Sequence, residues 1–402
     1  MKNIKEVNLR IAILQGTYNS MTCVSIVYFV QAFQRFGIDK LTIGIIMMLS
    51  NIVAAVMQPF WGYLCDKIGN PRKIIISCCI VGGILYFGLI YSGGNIIIIT
   101  LAAMGVFATY HPMMHLLDSW VTKLIVEGYK INYGATRSGG SVSYALTAAI
   151  FGVAVTRFGM FIAPYVFTGL CLIFCIVAIK VPNPITHVQN KGKISPSSSI
   201  SYLVKNNAYI IFMVAYFLTT LTHSSNNTFY SVLVFEMGGN ETHVGIGLFI
   251  SAIVEIPGLV FYNSFRKKTG MKTNNVLATA MFFYFLKCLM MALSPNIGFI
   301  MIANTLQAVS FAIFMPAMIE YLIENVDKTF LSTAQMFLIA IGVSMGSILS
   351  NPISGALAEN IGTKTMLKIM SLFSLFGMVL MILSPVIIRK STQHKDNRQL
   401  YI

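Results

Sequence analysis

The sequence predicts an all-α membrane protein of twelve transmembrane helices arranged as two six-helix pseudo-repeats. Three observations predict it. Of the 402 residues, 56% are hydrophobic and only 10% are charged, against about 25% charged in an average soluble domain, so no charged exterior can be built. Apolar stretches recur along the whole chain, and about 30–33 residues per span and turn leave room for about twelve. One long polar gap divides them six from six. A mean hydropathy of +0.75 also excludes disorder.

The spans fall near 9–35, 41–66, 74–92, 97–125, 134–156 and 159–180, then 207–235, 243–264, 274–293, 297–324, 330–356 and 364–388. The stretch after Arg10 is too long for a signal-peptide core and no A-x-A site follows it, so it reads as a span. The gap 181–206 holds Pro182, Pro184, Lys191, Lys193, Pro196 and the run Ser197 to Ser199, a linker composition. The expected domains are thus 1–180, a linker 181–206, 207–388, and a tail 389–402.

Net charge is +15. The basic residues sit in short gaps between spans, so lipid headgroups rather than nucleic acid are the expected partner. Loops on one side carry 21 Lys and Arg, those on the other carry five (Arg35, Lys40, Arg157, Lys364 and Lys368). That bias predicts both termini and the linker on the cytoplasmic side of the cell membrane. Arg137 and Lys287 fall inside spans. The seven cysteines make no CxxC pairs. Cys171 and Cys175 share a helix face without a histidine, so no metal site is expected and the thiols read as reduced apolar filler. There is no G-x-x-x-x-G-K-(S/T), H-E-x-x-H or nucleophile–base cluster, so the chain reads as neither an ATPase nor another enzyme, and no cofactor is expected.

After the second span comes Gln58-Pro59-Phe60-Trp61-Gly62-Tyr63-Leu64-Cys65-Asp66-Lys67-Ile68-Gly69-Asn70-Pro71-Arg72-Lys73. Gly62 is expected to let a neighbouring helix approach, Gly69 to permit a tight turn, and Asp66 to cap a helix N-terminus or pair with a base. With Lys67 and Arg72, this resembles the G-x-x-x-D-(R/K)-x-G-x-(R/K) loop of the major facilitator superfamily. The second half carries a copy without the acid, Asn263 to Gly270. Within the superfamily, Tyr133 to Leu146 and Gly355 to Gly362 resemble the fifth helix and last outer loop of the oligosaccharide:proton symporter group that includes the lactose permease. That resemblance implies the major facilitator fold, with helices 1–6 rocking against 7–12 around a midplane site.

Charges within spans carry the functional signal, because each costs roughly 2.5–3.5 kcal/mol at the bilayer centre. Asp118 and Arg137 lie nine or ten residues from the middle of the loop between helices 4 and 5, hence at similar depth. Tyr144 follows Arg137 by seven residues, two helical turns, on the same face. The resemblance implies that Asp118 and Arg137 bind sugar hydroxyls and that Tyr144 stacks on the ring; a structural salt bridge is the other reading of the pair. His115 precedes Asp118 by three residues. Tyr18 and Asn19 on helix 1, with Gln15, Tyr28 and Gln31, and Asn226 and Asn227 on helix 7, are amides and hydroxyls suited to a neutral, hydroxylated solute. Glu255 is mid-span on helix 8 and is the first proton-coupling candidate, then Asp118 and Glu320. Lys287 on helix 9 lies within about one turn of the depth of Glu255, to pair with it or to snorkel outward.

The resemblance is incomplete. The helix 10 His–Glu pair is absent from Ser310 to Pro316, the helix 7 acid from His223 to Asn227, and the basic partners on helices 10 and 11 are missing too. The sequence therefore reads as a monomeric secondary transporter, moving an oligosaccharide with a proton by alternating access. A nucleoside or aromatic-acid proton symporter, an uncoupled facilitator, and a transporter-like sensor are the rival readings.

Overall fold

The computed structural model describes residues 4–131, 133–184, 196–327 and 330–399. Among them there is no strand. The helices are α1 Ile4–Thr22, α2 Tyr28–Arg35, α3 Lys40–Ile68, α4 Pro71–Ile90, α5 Ile96–Tyr110, α6 Met113–Val126, α7 Tyr133–Phe158 and α8 Ala163–Lys180. There follow α9 Pro196–Lys205, α10 Asn207–Glu236, α11 Glu241–Thr269, α12 Thr273–Ala292, α13 Ile297–Thr305, α14 Phe311–Asn325, α15 Leu331–Leu338, α16 Gly346–Ile361 and α17 Thr363–Gln399.

Among the described residues, eleven stretches are long and apolar enough to cross a membrane. The first expected span, 9–35, is helical but less apolar than these eleven, and a π-helical turn Cys23–Val27 separates α1 from α2. Span 4 breaks at His111 and Pro112 between α5 and α6, where proline withholds an N–H from the helix ladder. Span 10, at the matching place in the second half, breaks at Leu306–Ala308 between α13 and α14. Span 11 contains a second π-helical turn, Ile339–Met345. Discontinuous spans expose backbone where a cavity or neighbouring helix can use it.

Two details are added at the edges. The linker is not wholly irregular, because α9 occupies its last third; Lys191 and Lys193 lie outside the described residues. The last apolar stretch, Thr363–Arg389, agrees with the expected 364–388, and the helix itself continues through the polar stretch to Gln399.

The chain packs as two units. The first is Met1–Asn190 with Thr228–Ile253 and Asn351–Asn360, and the second is Lys191–Asn227, Val254–Ser350 and Ile361–Ile402. The boundaries are therefore not those of the sequence halves. Ion pairs explain part of the first unit's reach. Arg35 donates from Nε (3.0 Å) and from Nη2 to Glu241 Oε1, and Glu241 is buried at the start of α11, where the helix dipole favours an anion. Lys40 Nζ meets Glu236 at 2.5 Å, and the Lys40 backbone N–H donates to Glu359 at 3.0 Å.

At the other end of the first unit, three donors take carbonyls at and just past the end of α8. Arg10 donates to Lys180 O at 2.7 Å, Arg72 to Val181 O, and Trp120 Nε1 to Pro182 O at 2.9 Å. A helix C-terminus leaves such carbonyls unpaired and negative, so cationic and indole donors suit it.

Candidate functional site

The loop between α3 and α4 works differently from the expectation at one point. Gly69 is the C-cap of α3 with φ 66°, as a left-handed turn requires, and its N–H donates to Cys65 O. Gly62, by contrast, faces open space: nothing lies within 4 Å of where a Cβ would stand. The close helix approach belongs to its neighbour instead, since Trp61 Nε1 donates to Ala108 O at 2.7 Å and ties α3 to α5. Arg72 serves the α8 carboxyl end, and Lys67 stands 6.0 Å from the Tyr63 ring. The Asp66 side chain lies outside the described residues.

In the second unit the degenerate copy recovers its missing acid from α14. Arg266 Nε donates to Glu320 Oε2 at 2.9 Å, Tyr262 donates to the same oxygen at 2.5 Å, and Thr273 bridges Arg266 to Glu324. The hydrogen bond from Arg266 is accompanied by a rise in that guanidinium's pKa. Glu320, third among the proton candidates, is thus engaged by a loop arginine.

The central polar group of the first unit forms around α1, α6 and α7. Asp118 and Arg137 each lie within electrostatic reach of both Tyr18 and His115. The pair itself makes no hydrogen bond here, and Asp118 Oδ1 is buried with no partner among the described residues. Tyr18 is buried and stacks on Tyr110 at 5.1 Å, while Tyr110 donates to Tyr18 O at 2.6 Å. Asn19 donates to Gln15 O at 2.8 Å. Gly140 is what lets α7 come this close: a Cβ there would stand 2.5 Å from Asn19 Nδ2. Tyr144 is half-buried on α7, within electrostatic reach of Tyr28. His115 is exposed.

Helix 1 contributes more than the sequence ranking gave it. Gln15 and Gln31 are fully buried, and among the described residues both amide atoms of each lack a hydrogen-bond partner, as does the Tyr28 hydroxyl. A buried polar group left unpaired costs about 1–3 kcal/mol, and few persist without a reason. The signal was present in the sequence as amides on an apolar span, but spacing alone does not separate paired from unpaired ones.

In the second unit the polar centre is largely paired. Lys287 does not snorkel: it is 5% exposed and donates to Gln307 Oε1 at 2.8 Å. Gln307, which sequence reasoning missed, lies in the broken part of span 10. Glu255, half-buried, stands within electrostatic reach of Lys287 and Tyr284. Asn227 donates to His223 Nε2 at 3.0 Å, and His223 stacks on Phe311 at 5.9 Å. Asn226 is buried, and its Oδ1 has no hydrogen-bond partner among the described residues.

Residues 17–387 match the sequence model of the MFS_1 like family. The chain belongs to that family. This MFS_1-like protein is 22% identical over 342 residues to a maltose permease of Geobacillus stearothermophilus, covering 85% of each chain. It is 23% identical over 372 residues to a sucrose permease of Escherichia coli, covering 87% of this chain and 85% of that one. In structure it resembles the nucleoside transporter NupG, with a TM-score of 0.79 at 17% identity over 94% of this chain and 98% of that chain. The MFS_1-like chain is a multi-pass membrane transporter, not an enzyme, and its substrate is a small molecule.

Proposed function

We propose that this transporter takes up a neutral, hydroxyl-rich solute of the oligosaccharide class together with a proton, by alternating access, in the cell membrane with both termini cytoplasmic. One observation carries the reading: fully buried, unpaired amide and hydroxyl groups on α1 and α2, in the same unit as Asp118 and Arg137. A sugar hydroxyl both donates and accepts, so it satisfies an amide N–H, an amide oxygen and a carboxylate alike. The planar guanidinium of Arg137 suits two such oxygens at once, and the flat face of Tyr144 offers an apolar surface to a ring. The maltose and sucrose permeases among the relatives support the class.

Glu255 is the proposed proton carrier. It shares a low-dielectric environment with a buried lysine, and a carboxylate there can exchange its partner for a proton during the cycle. Glu320 is left out of that route because Arg266 and Tyr262 hold it.

Uptake into proteoliposomes, with and without an inward pH gradient, tests the proposal. Radiolabelled maltose, sucrose and uridine are offered in parallel. Gradient-dependent accumulation of a disaccharide is expected. Accumulation of uridine alone would replace the substrate class, and gradient-independent equilibration would make the protein a facilitator. Glu255→Gln, which mimics the protonated acid, should abolish accumulation while retaining exchange.

A further inference from the structure

Three cysteines that are far apart in sequence come together inside the first unit. Cys79 of α4 and Cys171 and Cys175 of α8 place their sulfurs within 4.8 Å of one another. Cys79 and Cys171 are buried, Cys175 is half-buried, and none is in a disulfide. The spacing has a simple origin. Residues 171 and 175 are one turn apart on the same helix face, and Cys79 on the adjacent helix faces the pair, 2.7 Å from Cys171 Sγ.

Thiolate–metal bonds run to about 2.3 Å, so two sulfurs on one central atom stand at most about 4.6 Å apart. Three sulfurs in this arrangement are within small side-chain rotations of a single three-coordinate centre. The cluster offers no fourth ligand among the described residues, which disfavours tetrahedral zinc. Charge narrows the choice further. The cluster contains no basic group, and Phe167 and Phe174, fully buried, lie one turn either side of Cys171. Three thiolates on a monovalent or divalent cation leave a net negative charge in that apolar setting, which is costly. A trivalent centre leaves none.

We propose that Cys79, Cys171 and Cys175 form a chelating site for trivalent arsenic or antimony hydroxides. Neutral arsenous acid condenses with three thiols: three As–O bonds are replaced by three As–S bonds, the three thiol protons leave with the hydroxides as three waters, and arsenic stays trivalent. No electrons move, and both sides of the reaction are uncharged. The site also has a line to the polar centre. Tyr110 is within electrostatic reach of Cys79 and Cys171 and stacks on Tyr18. Occupancy therefore ties α4 to α8 directly behind a proposed solute-contacting residue.

The test uses the purified full-length protein in detergent, reduced with a phosphine rather than a dithiol. It is incubated with sodium arsenite, desalted, and its arsenic counted by elemental mass spectrometry. X-ray absorption reports the neighbours of the retained arsenic. One arsenic per chain with three sulfur neighbours is expected for the natural protein and for Cys288→Ser, whose thiol is buried elsewhere. Cys175→Ser, at the half-exposed position where folding is least at risk, should retain arsenic about 100-fold more weakly, since each added ligand acts intramolecularly. Cys79→Ser should do the same while eluting as a monodisperse peak. No arsenic on the natural protein, or undiminished arsenic on Cys175→Ser, overturns the site. Because the readout is bound arsenic and not transport, it stands or falls apart from the sugar reading.

Discussion

The two packing units differ in how far their buried polar groups are paired. In the second unit they are spent on structure. Thr222 of α10 donates to Met370 O at 2.6 Å and accepts from Ser374 N at 3.1 Å, so one hydroxyl is inserted into the backbone ladder of α17. Ser374 Oγ in turn donates to Met281 O of α12 at 2.7 Å, Ser225 and Ser350 are 2.6 Å apart, and Lys287 is held by Gln307. In the first unit, Gln15, Gln31, Tyr28 and Asp118 present buried atoms with no hydrogen-bond partner among the described residues. Asn226 is the second unit's exception. The contrast teaches that polarity inside a membrane bundle is not one signal. Paired groups fasten helices, and the proposed function assigns the unpaired ones on α1, α2 and α6 to a solute.

That comparison can be broken by substitution. The largest effect is expected at Arg137→Lys. Hydrogen bonds to a charged group are worth about 1.5–3 kcal/mol, so solute affinity should fall roughly 10- to 100-fold although the charge is kept. Unchanged binding, measured by titration calorimetry, would make Arg137 a counter-ion only. Tyr144→Ala should fall further in uptake than Tyr144→Phe, since the ring face rather than the hydroxyl does the stacking; equal losses would mark Tyr144 as helix packing.

Of smaller size is Thr222→Val in the second unit. Interhelical hydrogen bonds in membrane bundles average about 0.6 kcal/mol and reach about 1.7. The variant should therefore lose about 1 kcal/mol of stability in thermal or denaturant unfolding, with solute affinity unmoved. A fall in affinity at constant stability would place Thr222 in the site and blur the contrast.

The smallest effect is a control at a helix end. Asp39 caps α3 by accepting from Thr42 N at 2.8 Å, and the hydrogen bonds from Thr42 lower the pKa of its carboxyl. Asp39→Ala should cost about 1 kcal/mol at neutral pH. A depressed folded pKa stabilises above the unfolded value, about 3.9, and the benefit is lost as pH falls through the folded one. The difference between variant and natural protein should thus shrink below about pH 4, as pH-dependent unfolding curves would show.

Much of this was legible from residues alone. The apolar stretches located the helices to within a few positions, from 41–66 against Lys40–Ile68 to 207–235 against Asn207–Glu236. Hydrophobicity is additive along the chain, so it survives without knowledge of neighbours. The breaks in spans 4 and 10 were not legible, because an apolar count does not register a local change of hydrogen-bond register. Asp118 and Arg137 were readable at similar depth from their distances to the shared loop, but the place of Tyr18 within electrostatic reach of both was not. Gln307 as the partner of Lys287, Arg266 as the partner of Glu320, and Cys79 as the companion of Cys171 were not. Each is a contact between helices, and helical period says which face a residue occupies but not what it meets. Gly62 failed for the same reason.

The central claim is that unpaired polar atoms of the first unit form the solute site. The most direct test is the melting temperature of Gln15→Leu, with and without disaccharide, against the natural protein. An unpaired buried amide costs about 1–3 kcal/mol, so removing it should raise the melting temperature in the absence of sugar. A ligand at 100 times its Kd stabilises by about 2.7 kcal/mol, and that increment should appear in the natural protein and shrink or vanish in the variant. A variant that is less stable without sugar, yet gains the full increment with it, would show that Gln15 is a structural residue and would contradict the account.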